Sequence, residues 1–238
     1  MIKLIRMMRW DLTLQARQFL FVANAVSTAA LCGFVLILPM NPLPVHVASA
    51  LILADPALIG MSFIGAIVLM EKGTGVLSAL GITPSPPWVY VFSKTITLSF
   101  SGFVSGLAVA WVALDGDFDI GVMVLALALS NTVAVLIGFA CVARAPSMNA
   151  LMIYLLYAAT FLFMPLLGHF SLVPQQANWV LGLIPSYAML MSFNGAADPS
   201  LLGPADWVYA IGYQVLWIGI GWRWTMHEYR AYIISSGR

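Results

Sequence analysis

Six long apolar runs, near residues 19–39, 50–70, 89–114, 120–143, 150–168 and 206–222, constrain this chain more than any other feature. Each approaches the ~20 residues that a helix needs to cross the hydrocarbon core of a bilayer. In lipid every backbone amide and carbonyl must be satisfied internally, so such runs predict helices. The expected fold is an all-α integral membrane protein with six transmembrane helices in a single transmembrane domain over 1–238. Composition agrees, because 62% of the residues are hydrophobic and 8% are charged. That leaves too little polar surface to cover a water-soluble domain. The first run, Phe19 to Pro39, exceeds the short apolar core of a secretory signal peptide and reads as an uncleaved first span.

Charge sets the expected orientation. Lys3, Arg6, Arg9 and Arg17 precede span 1, and Lys72 and Lys94 flank the connection between spans 2 and 3. Arg144 follows span 4, and Arg223, Arg230 and Arg238 follow span 6, which places every Lys and Arg on one side. The opposite connections carry Asp115, Asp117, Asp119, Asp198 and Asp206 with no basic residue. Under the positive-inside rule this predicts both termini in the cytoplasm and a multi-pass protein of the plasma membrane. Trp10, Trp88, Trp222 and Trp224 fall at the expected inner boundaries, and Trp111, Trp179 and Trp207 at the outer ones, where indole rings prefer to sit.

Several functions are excluded or weakened. A net charge of +1 and the lack of a basic stripe with interleaved aromatics argue against nucleic acid. Cys32 and Cys141 lie in apolar runs, and His46, His169 and His227 are scattered, so no metal site is expected. An intramembrane enzyme would need an activated nucleophile, yet Ser105 has no histidine in a predicted span to serve it. The chain has no phosphate-binding loop, so any ATP hydrolysis belongs to another subunit. An ion-coupled secondary transporter would place carboxylates or broken helices near the midplane, and Asp55 alone fits that pattern.

Three segments are not simple spans. Over 1–18, Met1, Leu4, Ile5, Met8 and Leu12 gather on one side, and Lys3, Arg6, Arg9, Thr13 and Arg17 on the other. That pattern fits an amphipathic helix in the membrane interface, or a basic flank that only orients span 1. Residues 71–87 keep Val76, Leu77 and Leu80 before a proline cluster, which suggests a short helix parallel to the membrane. The stretch 169–205 is too apolar for a free loop and too short to span, so re-entrant or interfacial helices are expected.

Individual residues carry two readings each. Asp55 is the carboxylate well inside an apolar run, at an insertion cost of roughly 2.5–3.5 kcal/mol at mid-membrane; it suits a helix cap before Pro56 or a polar wall of a substrate path. Glu71 and Lys72 fit contact with a partner or solvated helix ends. Gly102 and Gly106 permit close helix approach, within the chain or at a dimer seam. Met61, Phe63, Phe100, Phe103, Tyr154, Tyr157, Phe161 and Phe163 could line a greasy path or pack against lipid.

Four places resemble the permease subunits of type-2 ABC exporters, and among them the fluoroquinolone-export permeases. They are Arg9 through Gln18, Asp55, Glu71-Lys72 through Thr83-Pro84 with Lys94 beyond, and Asn178 through Ile184-Pro185. The resemblance covers most of the chain. It implies that Glu71, Lys72, Gly75, Leu77, Leu80, Thr83 and Pro84 form a coupling helix in a groove of a separate ATPase subunit. It also implies that Arg6, Arg9, Asp11, Gln15 and Arg17 present the interface helix to that partner. Two permease chains, identical or paired, would enclose a path for a hydrophobic or amphipathic cargo. ATP and Mg would be bound by the ATPase, with no cofactor on this chain. Asp55, Met61, Phe63, Phe103 and Tyr157 are the residues expected along the path. Gly73, Gly75 and Gly81 depart from the family frame, and each weakens a helix by about 1 kcal/mol relative to alanine, which predicts a short helix that orders on its partner.

Overall fold

A few local signals turn the apolar runs into helices with defined ends. The structure, a computed structural model, describes residues 2–40, 42–55, 60–76, 86–174, 176 and 178–236. Within them all regular structure is helical. In chain order the helices are α1 Ile2–Arg17, α2 Leu20–Ile37, α3 Val45–Ala54, α4 Met61–Gly73, α5 Pro87–Ala113 and α6 Ile120–Arg144. After them come α7 Met148–Phe163, α8 Pro165–His169, α9 Asn178–Leu181, α10 Pro185–Ala197 and α11 Pro204–Ser236.

Phe19, left-handed at φ 56°, forms the elbow that separates α1 from α2. Pro87 opens α5 in the first turn, where its missing N–H has no helical partner to lose. Asp119 caps α6 by accepting from the Val122 amide at 3.0 Å, and Ser147 caps α7 by accepting from the Ala150 amide at 3.3 Å.

Among the described residues, four stretches are long and apolar enough to cross a membrane: Leu20–Ile37, Pro87–Ala113, Ile120–Arg144 and Met148–His169. The second sequence-predicted span is built from α3 and α4, with 56–59 outside the described residues. The fifth is divided at Pro165, whose ring and missing N–H interrupt the helix. The sixth continues beyond 222 as one helix to Ser236, and Tyr209, Tyr213, Gln214, Trp217, Trp222 and Trp224 dilute its apolar character.

The segment 169–205, expected as re-entrant or interfacial helices, contains α9 and α10, which differ in burial. α10 packs against α3, α6 and α11 and buries Ser186, Met189, Leu190 and Phe193. α9 instead leaves Trp179 and Val180 exposed. The Tyr209 hydroxyl donates to the Gly182 carbonyl, and that of Tyr213 to the Leu183 carbonyl at 2.7 Å, which ties this segment to α11.

The buried apolar side chains form two clusters. One, at the end that carries the 71–87 connection, includes Met61, Ile64, Val68, Leu98, Phe139 and Leu151. The other, towards the opposite end, includes Ile52, Leu53, Val109, Met123, Leu127 and Phe193. Lipid is as apolar as leucine, so helix association rests on close packing and interhelical hydrogen bonds. Glycines permit that approach. A Cβ on Gly138 would lie 2.4 Å from Ile64 Cγ2 and 2.5 Å from the Met61 carbonyl oxygen. A Cβ on Gly102 would lie 2.0 Å from Asn131 Oδ1, and one on Gly106 2.6 Å from Leu127 Cδ2. The glycine pair of α5 thus seats α6 within this chain.

Candidate functional site

The first turns of α5 carry polar residues at helical spacing. Tyr90, Lys94, Thr97, Ser101 and Ser105 recur every three or four residues, with Ser93 one turn from Tyr90 and Thr97, so the six share one side of the helix. All six are buried. Lys94 is 1% exposed, in contrast with the sequence reading of it as a flanking charge. Its place near the start of α5 puts the ammonium between α1 and α4.

Lys94 Nζ lies 2.9 Å from Asp11 Oδ1 on α1 and 2.8 Å from Glu71 Oε1 on α4. Each carboxylate takes a second donor: Ser93 Oγ to Asp11 Oδ2 at 2.5 Å, and the Tyr90 hydroxyl to Glu71 Oε2 at 2.6 Å. One turn further along, Gln15 Nε2 donates to Thr97 Oγ1 at 2.9 Å. The Tyr90 ring stacks on Tyr229 of α11 with centroids 4.7 Å apart, and Lys94 Nζ sits 4.9 Å from the Tyr90 centroid. Buried charges cost several kcal/mol each unless they are paired and hydrogen-bonded, and both conditions are met here. The cluster joins α1, α4, α5 and α11, and Glu71 roots it in the last turn before the 71–87 connection.

This geometry gives α1 three faces. Asp11 and Gln15 turn inward with Met7 and Leu14 beside them, whereas Ile5, Trp10 and Leu12 are exposed. Lys3, Arg6, Arg9 and Arg17 are exposed on a third side. Asp11 and Gln15, expected on the surface offered to a partner, are therefore occupied within the chain. Glu71, 2% exposed, is likewise turned inward.

Lys72 Nζ donates to the Val142 and Ala143 carbonyls at 2.9 and 3.2 Å at the C-terminal end of α6, where Val142 also accepts from the Ala145 amide. Gly75, left-handed at φ 74°, ends the turn after α4. Leu77, Leu80, Thr83 and Pro84 lie outside the described residues. Arg144 NH2 pairs with Glu228 Oε1 at 2.8 Å, and the guanidinium stands over the Trp224 ring at 5.4 Å. Hydrogen bonds from Arg144 and Trp224 hold the Glu228 carboxyl below the usual carboxylate range.

The expected path residues are not gathered on one surface. Asp55 is fully buried and accepts from Ser105 Oγ at 2.7 Å, and the turn it was expected to cap, from Pro56, lies outside the described residues. Met61 is buried in the cluster near the connection and Phe63 packs on it. Phe103 stacks on Phe100 at 6.4 Å, and Tyr157 is 70% exposed. A cavity of about 490 Å³ opens instead between α6, α7 and α11, lined by Ile137, Cys141, Tyr154, Phe161, Trp217 and Trp224 with Arg144 at its rim. A second groove, about 520 Å³, runs between α2 and α5.

The α5 stripe was missed by sequence reasoning, although its three-to-four spacing and a lysine inside an apolar run were both visible signals. Among the described residues no group of His, Cys, Asp and Glu could hold a metal ion.

Comparison with known proteins gives the same direction. The profile of the fluoroquinolones export permease protein family matches residues 2–237. Two curated relatives, each named as a fluoroquinolones export permease protein, come from Mycobacterium tuberculosis strains CDC 1551 / Oshkosh and ATCC 25618 / H37Rv. Each is 29% identical over 218 residues, covering 91% of this chain and 90% of the relative. No solved structure matches the chain. With a match that runs nearly from end to end, the chain belongs to the fluoroquinolones export permease protein family.

Proposed function

We propose that this chain is the transmembrane half of an ATP-driven exporter that moves a hydrophobic or amphipathic small molecule, in the fluoroquinolone class, out of the cytoplasm. It lies in the plasma membrane with six spans and both termini cytoplasmic. A separate ABC ATPase subunit binds ATP and Mg and docks against residues 71–87 and the basic face of α1. A second permease chain completes the path.

The observation that carries this reading is the Asp11–Lys94–Glu71 cluster. Glu71 stands at the root of the segment expected to meet the ATPase, and Lys94 links it to α1 and α5 through two short ion pairs. A displacement of the connection, driven by closure of the nucleotide-binding subunits, would be passed to α5 and α1 together instead of being absorbed by a flexible loop. Exposed Arg6, Arg9 and Arg17 leave the outer side of α1 available for an acidic partner surface.

The test is co-expression with candidate ATPase subunits and purification through a tag on the permease. Co-purifying ATPase activity is expected for the native chain and is expected to be lost with Leu77→Asp and Leu80→Asp together. Cells carrying the pair should accumulate less fluoroquinolone than cells carrying a hydrolysis-deficient ATPase. A well-folded permease that binds no ATPase and exports drug only while a proton gradient is maintained would overturn the proposal in favour of an ion-coupled transporter.

A further inference from the structure

The groove between α2 and α5 departs from what a lipid-facing surface requires. Phe21 and Phe100 give it apolar walls, but Asn24, Thr28, Ser101 and Ser105 also line it. Asn24 Nδ2 donates to the Ser101 carbonyl at 3.2 Å, while Asn24 Oδ1 has no partner although it is buried. Behind Ser105 stands Asp55, with no exposure at all. Its Oδ2 lies 2.7 Å from Ser105 Oγ, which is also 3.0 Å from the Gly102 carbonyl. A hydroxyl has one proton to give, so the two acceptors compete for it. Asp55 Oδ1 has no partner, and no ion pair reaches Asp55 among the described residues. A carboxylate offers roughly four acceptor sites, so most of its capacity is unused in an apolar interior where an unpaired charge is costly.

We infer that this groove, with Asp55 behind Ser105, is a binding site for an amphiphile that carries a protonated amine. The vacant capacity consists of Asp55 Oδ1 and Asn24 Oδ1, and the acidic side chain beside the groove is the Asp55 carboxyl. An ammonium supplies both donors and the opposite charge. Phe21 and Phe100 receive the apolar body and offer ring faces to the cation. The volume, about 520 Å³, falls within the roughly 300–1,000 Å³ of small-molecule pockets. Asp55 does not itself line the groove, so the amine reaches it when the Ser105 side chain turns about its Cα–Cβ bond and carries Oγ away from Asp55 Oδ2. The inference deepens the exporter reading by naming a cargo chemistry, and rests on it for transport though not for binding.

The test uses dansylcadaverine, a primary ammonium on an aromatic body, and its neutral N-acetyl derivative. Binding to the purified full chain is read by dansyl fluorescence in phosphatidylcholine nanodiscs. The native chain is expected to prefer the cation by about tenfold or more, a margin of about 1.4 kcal/mol. Asp55→Asn removes that preference and leaves the neutral probe unchanged, and Asp55→Glu retains it. Should Asp55→Asn unfold, Thr28→Phe fills the groove from α2 and weakens both probes. Nanodiscs that also contain phosphatidylethanolamine separate the sources of the amine, since competition identifies an aminolipid and its absence a free amine. Equal binding of the two probes to the native chain, cation binding that survives Asp55→Asn, or binding that ignores Thr28→Phe would each overturn the inference. No ATPase is needed, so failure to find that partner leaves this result standing.

Discussion

Lys94 is held by two carboxylates that lie 83 and 23 residues away in sequence. Its location inside an apolar run was legible, because a lysine there is costly and demands a partner. The identity of the partners was not, since it depends on how α1 and α4 cross α5, a tertiary fact with no local sequence signature. The geometry predicts an asymmetric response to mutation. Lys94→Met leaves Asp11 and Glu71 facing one another without a counter-charge, and is expected to destabilise the fold by about 3–5 kcal/mol. Replacing all three, as Asp11→Asn, Glu71→Gln and Lys94→Met, removes the unpaired charge and should recover most of that loss. Thermal unfolding in detergent checks the order: the single variant should melt lowest and the triple variant near the native chain. A Lys94→Met protein that melts with the native chain would show that the ammonium is dispensable to the cluster.

At the scale of elements, spacing and end signals carried most of the information. The spans predicted at 89–114 and 120–143 match α5 and α6 to within two residues at each end, because Pro87 and Asp119 mark their starts. The division at Pro165 was visible as a proline but was outweighed by a long apolar run. Gly102 and Gly106 were left open between an internal seam and a dimer seam, and the structure fills that face with Asn131 and Leu127 of α6. Spacing alone could not decide this, since any apolar partner fits a glycine groove. Gly102→Ala forces a methyl against Asn131 and is expected to cost about 1–3 kcal/mol. Asn131→Ala should relieve it, so that the double variant is more stable than the sum of the two singles implies. Additive losses in a double-mutant cycle of melting temperatures would place the seam elsewhere. Gly75, at φ 74° with open space around its Cβ position, offers a complementary case. Gly75→Val meets no neighbour, yet it should still lose about 1–2 kcal/mol through backbone strain, seen as a lower melting temperature.

Across the whole molecule, apolarity tracks where a helix stands in the bundle. α2 buries only Asn24, Thr28 and Val35, so the rest of its surface must be acceptable to lipid, and it is apolar almost throughout. The few polar residues of α2 point inward, the reverse of a soluble amphipathic helix. α10 is largely covered by protein and carries Ser186 and Ser192 in buried positions, whereas α11 buries Ala210, Gln214, Thr225 and Tyr229 along one stripe and leaves Val208, Val215, Leu216 and Ile220 exposed. Gln214 Oε1 accepts from Ser130 at 2.9 Å and its amide donates to the Ala210 carbonyl, so the Gln214 amide is satisfied within the bundle. Among the described residues four stretches are long and apolar enough to span by themselves, and the six-span proposal adds to them the α3–α4 pair, separated by 56–59 outside the described residues, and α11. The six-span proposal therefore makes a prediction that a four-span arrangement does not share. In a background with Cys32→Ala and Cys141→Ala, single cysteines at Thr13, Asp117, Ser200 and Arg223 should separate cleanly. A membrane-impermeant maleimide added to intact cells should label positions 117 and 200 alone, and positions 13 and 223 should react once the cells are opened. Labelling of position 223 in intact cells would put an odd number of crossings between the two ends. That result would remove the shared inner face on which α1, the 71–87 connection and the end of α11 are proposed to meet the ATPase.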